Sequence, residues 1–183
     1  MVRKGPVRIM DAGKIARTIA GISREILKST QEIDDLVLIG IRSRGVPLAE
    51  RLGAAIAKKT GRDVPVGILD INLYRDDLSL VDEQPVLRKT EIPFRVSGRN
   101  VVLVDDVLFT GRTIRAALEG LIDLGRPKRI QLAVLIDRGH RELPIQADFV
   151  GRSVRTSREQ AVEVRFTETD GEDSVFLAAG GRP

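Results

Sequence analysis

The chain has no cysteine and no tryptophan, and its one histidine is His140. Without thiols there is no disulfide framework and no thiolate nucleophile. One imidazole and no thiolate also argue against a His/Cys zinc site and against Cys/His catalysis. Aromatic residues are only 3% of the chain, so the core has to be aliphatic. No apolar run approaches the length of a membrane span, and the opening MVRKGPVRIMDAGK has no apolar h-region of a secretory signal. These absences suit a soluble protein of a reducing cytoplasm. Two phosphate-binding patterns are missing as well. G-x-x-x-x-G-K-[ST] does not occur, which excludes a P-loop ATPase, and no G-x-G-x-x-G follows a strand, which argues against a dinucleotide fold.

What is present points to a folded α/β protein. The 183 residues suit a single domain, with hydrophobic residues at 42%, enough for a sizeable core. Thirty Lys and Arg against 26 Asp and Glu give a net charge of +4. That balance permits nucleic-acid binding and equally fits a solvated, arginine-rich surface.

The periodicities set out the elements. Arg8–Met10 reads as a short strand, and Asp11 can cap a helix to about Ser29 whose Ile15, Ile19, Ile22 and Ile26 form a buried stripe. LVLIGI, residues 36–41, has the unbroken apolar pattern of a strand covered on both faces. A helix from Pro47 to about Lys59, stopped at Gly61, a strand over 65–74, the strand VVLVDD, a helix from Arg112 to Leu124 and a strand over 130–137 follow. From Asp148 onward short runs alternate more, with a turn at DGED, and the last residues, about 179–183, should fray. The segment from about 75 to 92 is polar and interrupted by Pro85, so it reads as a flexible loop.

Buried strands alternating with helices predict a mainly parallel sheet with its ligand site at the strands' carboxyl ends. Four strands run there into polar sequence: IGI-RSRG, LDIN-LYRDD, LVDD-VLFTGRT and LID-RGHRE. In VVLVDDVLFTGRT an apolar strand ends on Asp105 and Asp106, and Thr110, Gly111, Arg112 and Thr113 then open a helix. A turn of that kind gathers backbone N–H groups and hydroxyls at a positive helix end, a pocket for a phosphate. Paired carboxylates at a strand end need something to satisfy them, such as sugar hydroxyls, a cation or a base. Together they suit a ribose 5-phosphate. The plain alternatives are N-capping by Thr110 and a capping acid beside a solvated one.

VVLVDDVLFTGRT resembles the phosphoribosyl-diphosphate (PRPP) signature of type I phosphoribosyltransferases. With IGIRSRG, DINLYRDD, DLGRP and LAVLIDRGHRELPI, the chain from about Ile9 to about Val175 resembles the PyrR family of pyrimidine operon regulators with uracil phosphoribosyltransferase activity. The resemblance implies the type I phosphoribosyltransferase fold, an α/β fold with a mainly parallel central sheet flanked by helices, and a small hood and a flexible loop over the site. It implies conversion of uracil and PRPP to UMP and diphosphate with Mg2+ held mainly by PRPP. Asp105 and Asp106 would be the catalytic pair and hold the ribose hydroxyls, directly or through the metal. Val107, Leu108, Phe109, Thr110, Gly111, Arg112 and Thr113 would form the phosphate-binding segment. Ser43 and Arg44 would meet the diphosphate, with Arg88 from the loop. Asp137, Arg138 and Val162 would line the base pocket, while Asp70 and Tyr74 would anchor the chain locally.

The resemblance further implies binding of pyrimidine-gene leader RNA promoted by UMP or UTP, and a homodimer or larger homo-oligomer. Lys14, Arg17, Arg24 and Lys28 share one helical stripe opposite the isoleucines, and His140 and Arg141 would add contacts, with Arg152 and Arg155 nearby. Some positions depart from the family pattern. Ala20-Gly21 and Arg24 stand where a Thr-Arg pair and a His are frequent, Gln146 where Arg is, Arg155 where Pro is, and Phe109 where Tyr is. A salvage enzyme without RNA regulation remains the alternative reading.

Overall fold

The computed structural model describes residues 5–75 and 90–179. A five-stranded sheet, all parallel, has the order β3-β2-β4-β5-β6, from β2 (Leu36–Ile41), β3 (Val66–Leu69), β4 (Asn100–Leu108), β5 (Arg129–Asp137) and β6 (Phe149–Ser153). One face is covered by α1 (Ala12–Ser29) and α2 (Gly45–Thr60), the other by α3 (Arg112–Asp123). The alternation of the strands divides the core accordingly. Leu36, Leu38, Val102 and Val104 meet the isoleucine stripe of α1 and the Leu48, Leu52, Ile56 stripe of α2. Val37, Ile39, Val101 and Leu103 meet Ile114, Ala117 and Leu121 of α3.

A second, antiparallel sheet joins the two ends of the chain. Its order is β1-β8-β7, from β1 (Val7–Asp11), β7 (Ala161–Arg165) and β8 (Ser174–Ala178). Asp11 closes β1 and caps α1, accepting from the Lys14 N–H at 2.8 Å. A single helical turn, α4 (Thr167–Asp170), links β7 to β8, with Gly171 left-handed at its end.

This small sheet is tied to α2 by arginines. Arg51 lies over the Phe166 ring and donates to both oxygens of Glu168 and both of Asp173, at 2.6 to 2.8 Å. Arg44, the residue before α2, grips the Asp170 carboxylate at 2.7 and 3.1 Å.

Two expectations need adjusting. The strand foreseen over 65–74 is β3 alone, after which the chain turns into a 3-10 turn at Asn72–Tyr74. There the Asp70 side chain accepts from the Asn72 N–H and the Tyr74 hydroxyl donates to Asp123, local bonds that compete with extended pairing. Second, the strand VVLVDD does not stop at the aspartates. It runs on to Leu108, because Val107 and Leu108 still find partners in Ile136 and Asp137 of β5. The turn expected at DGED is there, at the end of α4 with its left-handed Gly171. The flexible-loop segment lies mostly outside the described residues, as do 180–183 of the tail.

Close packing fixes the loop after β2 against β4. A Cβ on Gly45 would sit 2.4 Å from the Val104 carbonyl oxygen, and one on Gly40 would sit 2.6 Å from the Gly45 carbonyl oxygen. Both obstacles are backbone, so Gly45→Ala should cost about 1–3 kcal/mol in urea denaturation. The arginine ties predict a pH effect. Hydrogen bonds from Arg51 hold the Asp173 carboxyl down to about 2 from its ordinary 3.8. A lowered folded-state pKa contributes stability above the unfolded value, lost as pH falls through the folded one. Asp173→Asn should therefore lose about 2 kcal/mol at pH 7, a deficit that closes as the pH falls below 4 toward 2. Urea midpoints measured across that range check it.

Candidate active site

In a parallel sheet of this order, β2 leads to β3 on one side and β4 leads through β5 to β6 on the other. The switch lies between β2 and β4, so the crevice opens outside their carboxyl ends. Two loops face it, Arg42–Arg44 after Ile41 and Phe109–Gly111 after Leu108.

Asp105 and Asp106 sit on β4 beside this crevice. Asp105 is buried, 7% exposed, and Asp106 is half-buried. Asp105 Oδ1 accepts from the Asp106 N–H at 3.0 Å. Burial first, and the neighbouring Asp106 charge second, push the Asp105 carboxyl well above the usual carboxylate range. Asp106 is also pushed up by burial. Its hydrogen bond with the Asp105 carboxyl, a backbone N–H and the charge of Arg44 pull the other way. The pair therefore holds a proton more readily than ordinary carboxylates do, with Asp106 the better placed to carry the negative charge.

The turn into α3 is built around Gly111, whose φ of 93° is left-handed and whose Cβ would press on Ile145 at 3.3 Å. The Thr110 hydroxyl oxygen accepts from the Arg112 N–H at 3.3 Å, leaving later N–H groups of the first turn directed past the helix end. The Thr110 carbonyl accepts from the Glu142 and Leu143 N–H groups, so the loop after β5 props the turn from behind. Arg112 donates to Glu142 at 2.8 Å, and Arg158 donates to the other Glu142 oxygen at 2.6 Å.

On the β2 side Ser43 is exposed, and Arg44 is drawn toward Asp170 while its charge reaches Asp106. At the end of β5, Asp137 accepts from the Gly139 N–H at 2.9 Å and from Arg141. Arg138 is 6% exposed and its guanidinium stacks 3.8 Å over the Phe109 ring. Its burial lowers its pKa, and it donates to the Thr156 hydroxyl and the Ser157 carbonyl. Val162 stands on β7 opposite Leu177, in the small sheet, packed against the core cluster of α1 and α2. Among the residues expected in the site, Arg88 lies outside the described residues.

The residues expected to meet RNA fall into two sets. Lys14, Arg17 and Arg24 are exposed along α1, opposite its buried isoleucines. His140 and Arg141 turn inward. His140 bonds through Nε2 to the Thr156 carbonyl at 2.7 Å and meets the Phe109 ring edge-on, and Arg141 bonds to Asp137 and three backbone carbonyls. The sequence reading missed Arg51, Glu168, Asp170, Asp173 and Glu142, which brace the site's walls. The acid-rich TETDGED, set in an arginine-rich chain, was the available signal.

Among the described residues no group of three or more His, Asp or Glu is set to hold a metal ion, and no helix is long and apolar enough to cross a membrane.

Known proteins bear on this arrangement directly. The model of the phosphoribosyl transferase domain matches residues 8–168. The Bifunctional protein PyrR of Pelotomaculum thermopropionicum is 60% identical over 170 residues, covering 93% of this chain and 94% of its own. That of Thermus thermophilus is 56% identical over 169 residues, covering 92% and 93%. A hypoxanthine phosphoribosyltransferase from Staphylococcus aureus shares the fold, with a TM-score of 0.69 at 16% identity over 96% of this chain and 92% of its own. A crevice at the β2/β4 switch, an aspartate pair on β4 and a glycine turn into α3 thus occur in a chain that belongs to the phosphoribosyltransferases and, among them, to the PyrR family.

Proposed function

We propose that this protein transfers the phosphoribosyl group of PRPP to uracil, giving UMP and diphosphate, and also binds leader RNA of pyrimidine genes in response to UMP or UTP. The observation that carries the transferase is the continuity of one segment. Buried β4 delivers Asp105 and Asp106 to the crevice, and three residues past its end Gly111 starts a helix whose N-terminus faces the same space. Membership of the PyrR family supports uracil as the base and RNA as the second partner.

The 5-phosphate of the substrate would lie on the Thr110–Thr113 turn, bound by backbone N–H groups and hydroxyls at the positive helix end. Asp105 and Asp106 would hold the 2- and 3-hydroxyls of the ribose. The protonated member can donate and the charged one accept, and Asp106 can assist in handling the base proton. Ser43 and the backbone around it would meet the diphosphate. Asp137 and Arg138 would edge the base, with Val162 closing the pocket from the small sheet. Bond breaking at ribose C1 builds positive charge there, so the reaction needs no protein nucleophile, only orientation and a negative carboxylate nearby. Two adjacent carboxyls fit Mg2+, a hard cation that keeps several waters and substrate oxygens as ligands. When bound it would neutralise diphosphate charge. The cysteine-free chain suits the cytoplasm, and the protein would act as a homodimer or larger homo-oligomer.

For RNA, the exposed stripe of Lys14, Arg17 and Arg24 is the phosphate-facing surface.

Formation of UMP from labelled uracil, PRPP and Mg2+ tests the transferase. Turnover of hypoxanthine with none of uracil would overturn the base assignment. Asp105→Asn should lower kcat on the order of a hundredfold or more, yet leave the chain more stable. The folded state keeps the Asp105 proton at pH values where the unfolded chain has released it. That residue therefore costs stability increasingly as pH rises above the ordinary carboxylate range. Thermal unfolding should show a gain of about 1 kcal/mol at pH 7.5, vanishing below pH 4. A destabilised Asp105→Asn would contradict this. In gel shifts with its own leader RNA, Arg17→Glu with Arg24→Glu should spare turnover and weaken binding. The salt slope should flatten by about one unit for each phosphate that an arginine no longer neutralises. Unchanged affinity would move the RNA surface elsewhere.

A further inference from the structure

We infer that Arg141 is a positioning residue of the transferase, a strut that sets the spacing between the base end and the phosphate end of the cleft. The inference rests on the transferase reading above.

The need for a strut arises where pairing ends. β4 and β5 stay in register up to Leu108 and Asp137, and the last tie there is the Arg138 N–H to the Leu108 carbonyl at 3.1 Å. Beyond it the strands part, and the Glu142 and Leu143 N–H groups meet the Thr110 carbonyl further on. Phe109 begins the phosphate turn, while Arg138 to Leu143 loop over the base side. Arg141 spans this gap. Its Nη2 donates to Asp137 Oδ2 at 2.5 Å, and its Nη1 donates to the Phe109 carbonyl at 2.9 Å and the Gly139 carbonyl at 3.3 Å. Nε donates to the Ile145 carbonyl at 2.9 Å, and Ile145 is the side chain against which Gly111 packs. Every nitrogen of the guanidinium is thus engaged, and only 22% of the side chain is exposed. One planar fork ties the carboxylate at the base end to the first carbonyl of the phosphate turn. The family resemblance placed Arg141 among the RNA contacts, as added positive charge. In the fold its charge faces inward.

The role differs from general bracing in that one side chain joins the Asp137 carboxylate to the Phe109 carbonyl. Without Arg141, Asp137 keeps the Gly139 N–H but loses its guanidinium donor, and the Phe109 carbonyl loses its bond, leaving the Thr110 carbonyl's bonds to Glu142 and Leu143 to hold the turn. An ammonium carries the same charge but cannot reach several acceptors in one plane.

Steady-state kinetics with uracil and PRPP on Arg141→Gln, Arg141→Lys, Asp137→Asn and the pair Arg141→Gln with Asp137→Asn provide the test, with thermal unfolding to establish that each is folded. Arg141→Gln should lose on the order of a hundredfold in kcat/KM for uracil and raise KM for PRPP, and Arg141→Lys should recover less than about a tenth of the wild-type value. The double variant should lose much less toward uracil than the product of the two single losses, since each single change already removes the Arg141–Asp137 bond. Wild-type kinetics in Arg141→Lys, losses that multiply in the double variant, or lost RNA binding with unchanged turnover in Arg141→Gln would each overturn the inference. If Arg141→Gln does not fold, Arg141→Lys carries the same cycle with Asp137→Asn. A wild-type protein that turns over no uracil would bring down the transferase reading itself. An active wild type indifferent to both Arg141 variants would bring down the strut alone.

Discussion

Two adjacent carboxyls on a buried central strand are expensive, and much of the molecule is arranged around that cost. Asp105 lies in a sheet covered on both faces, where its charge is poorly solvated, and Asp106 follows with a like charge. The main-chain N–H of Asp106, the nearby charge of Arg44 and a shared readiness to hold a proton keep the pair in place. The parallel sheet brings the other polar strand ends to the same edge. Close packing of Gly45 on Val104 then leaves the Arg42–Arg44 loop no freedom to drift from Asp105. The cleft is a consequence of strand direction and of glycine at two close approaches.

Around it, arginines act as fasteners. Arg51 and Arg44 dock the small sheet on α2, Arg112 and Arg158 meet on Glu142, Arg138 covers Phe109, and Arg141 joins the ends of β4 and β5. With so few aromatic residues to bridge its layers, the protein uses planar, multidentate cations for that purpose. The basic composition therefore has two destinations. Part of it stays exposed along α1 and suits a polyanion, and part is consumed in holding the cleft.

Much of this was legible in the chain because it is local. The α1 isoleucines, the unbroken apolar runs of β2, β4 and β5, and the turn at Gly111 all announce themselves within a few residues. The rest depends on partners far apart in sequence. The β1–β8 pairing joins the two ends of the chain, and Arg51 meets Asp173 across 122 positions, so no window shows either. The family resemblance set His140 and Arg141 among the RNA contacts, whereas carbonyls left unpaired past the strand ends draw both inward. The end of β4 was also misplaced. Aspartates look like a stop, and only the register with β5 carries the strand to Leu108.

Everything in the proposed chemistry turns on Asp105 and Asp106 forming one proton-holding pair that meets the sugar of a phosphorylated ribose. Carbon-13 NMR of the aspartate carboxyls, followed through a pH titration with and without ribose 5-phosphate, tests this most directly. Asp105 should titrate well above the ordinary carboxylate range, Asp106 should respond to the same proton, and the sugar phosphate should shift both signals. An Asp105 that titrates as an ordinary carboxylate and ignores the ligand would contradict it.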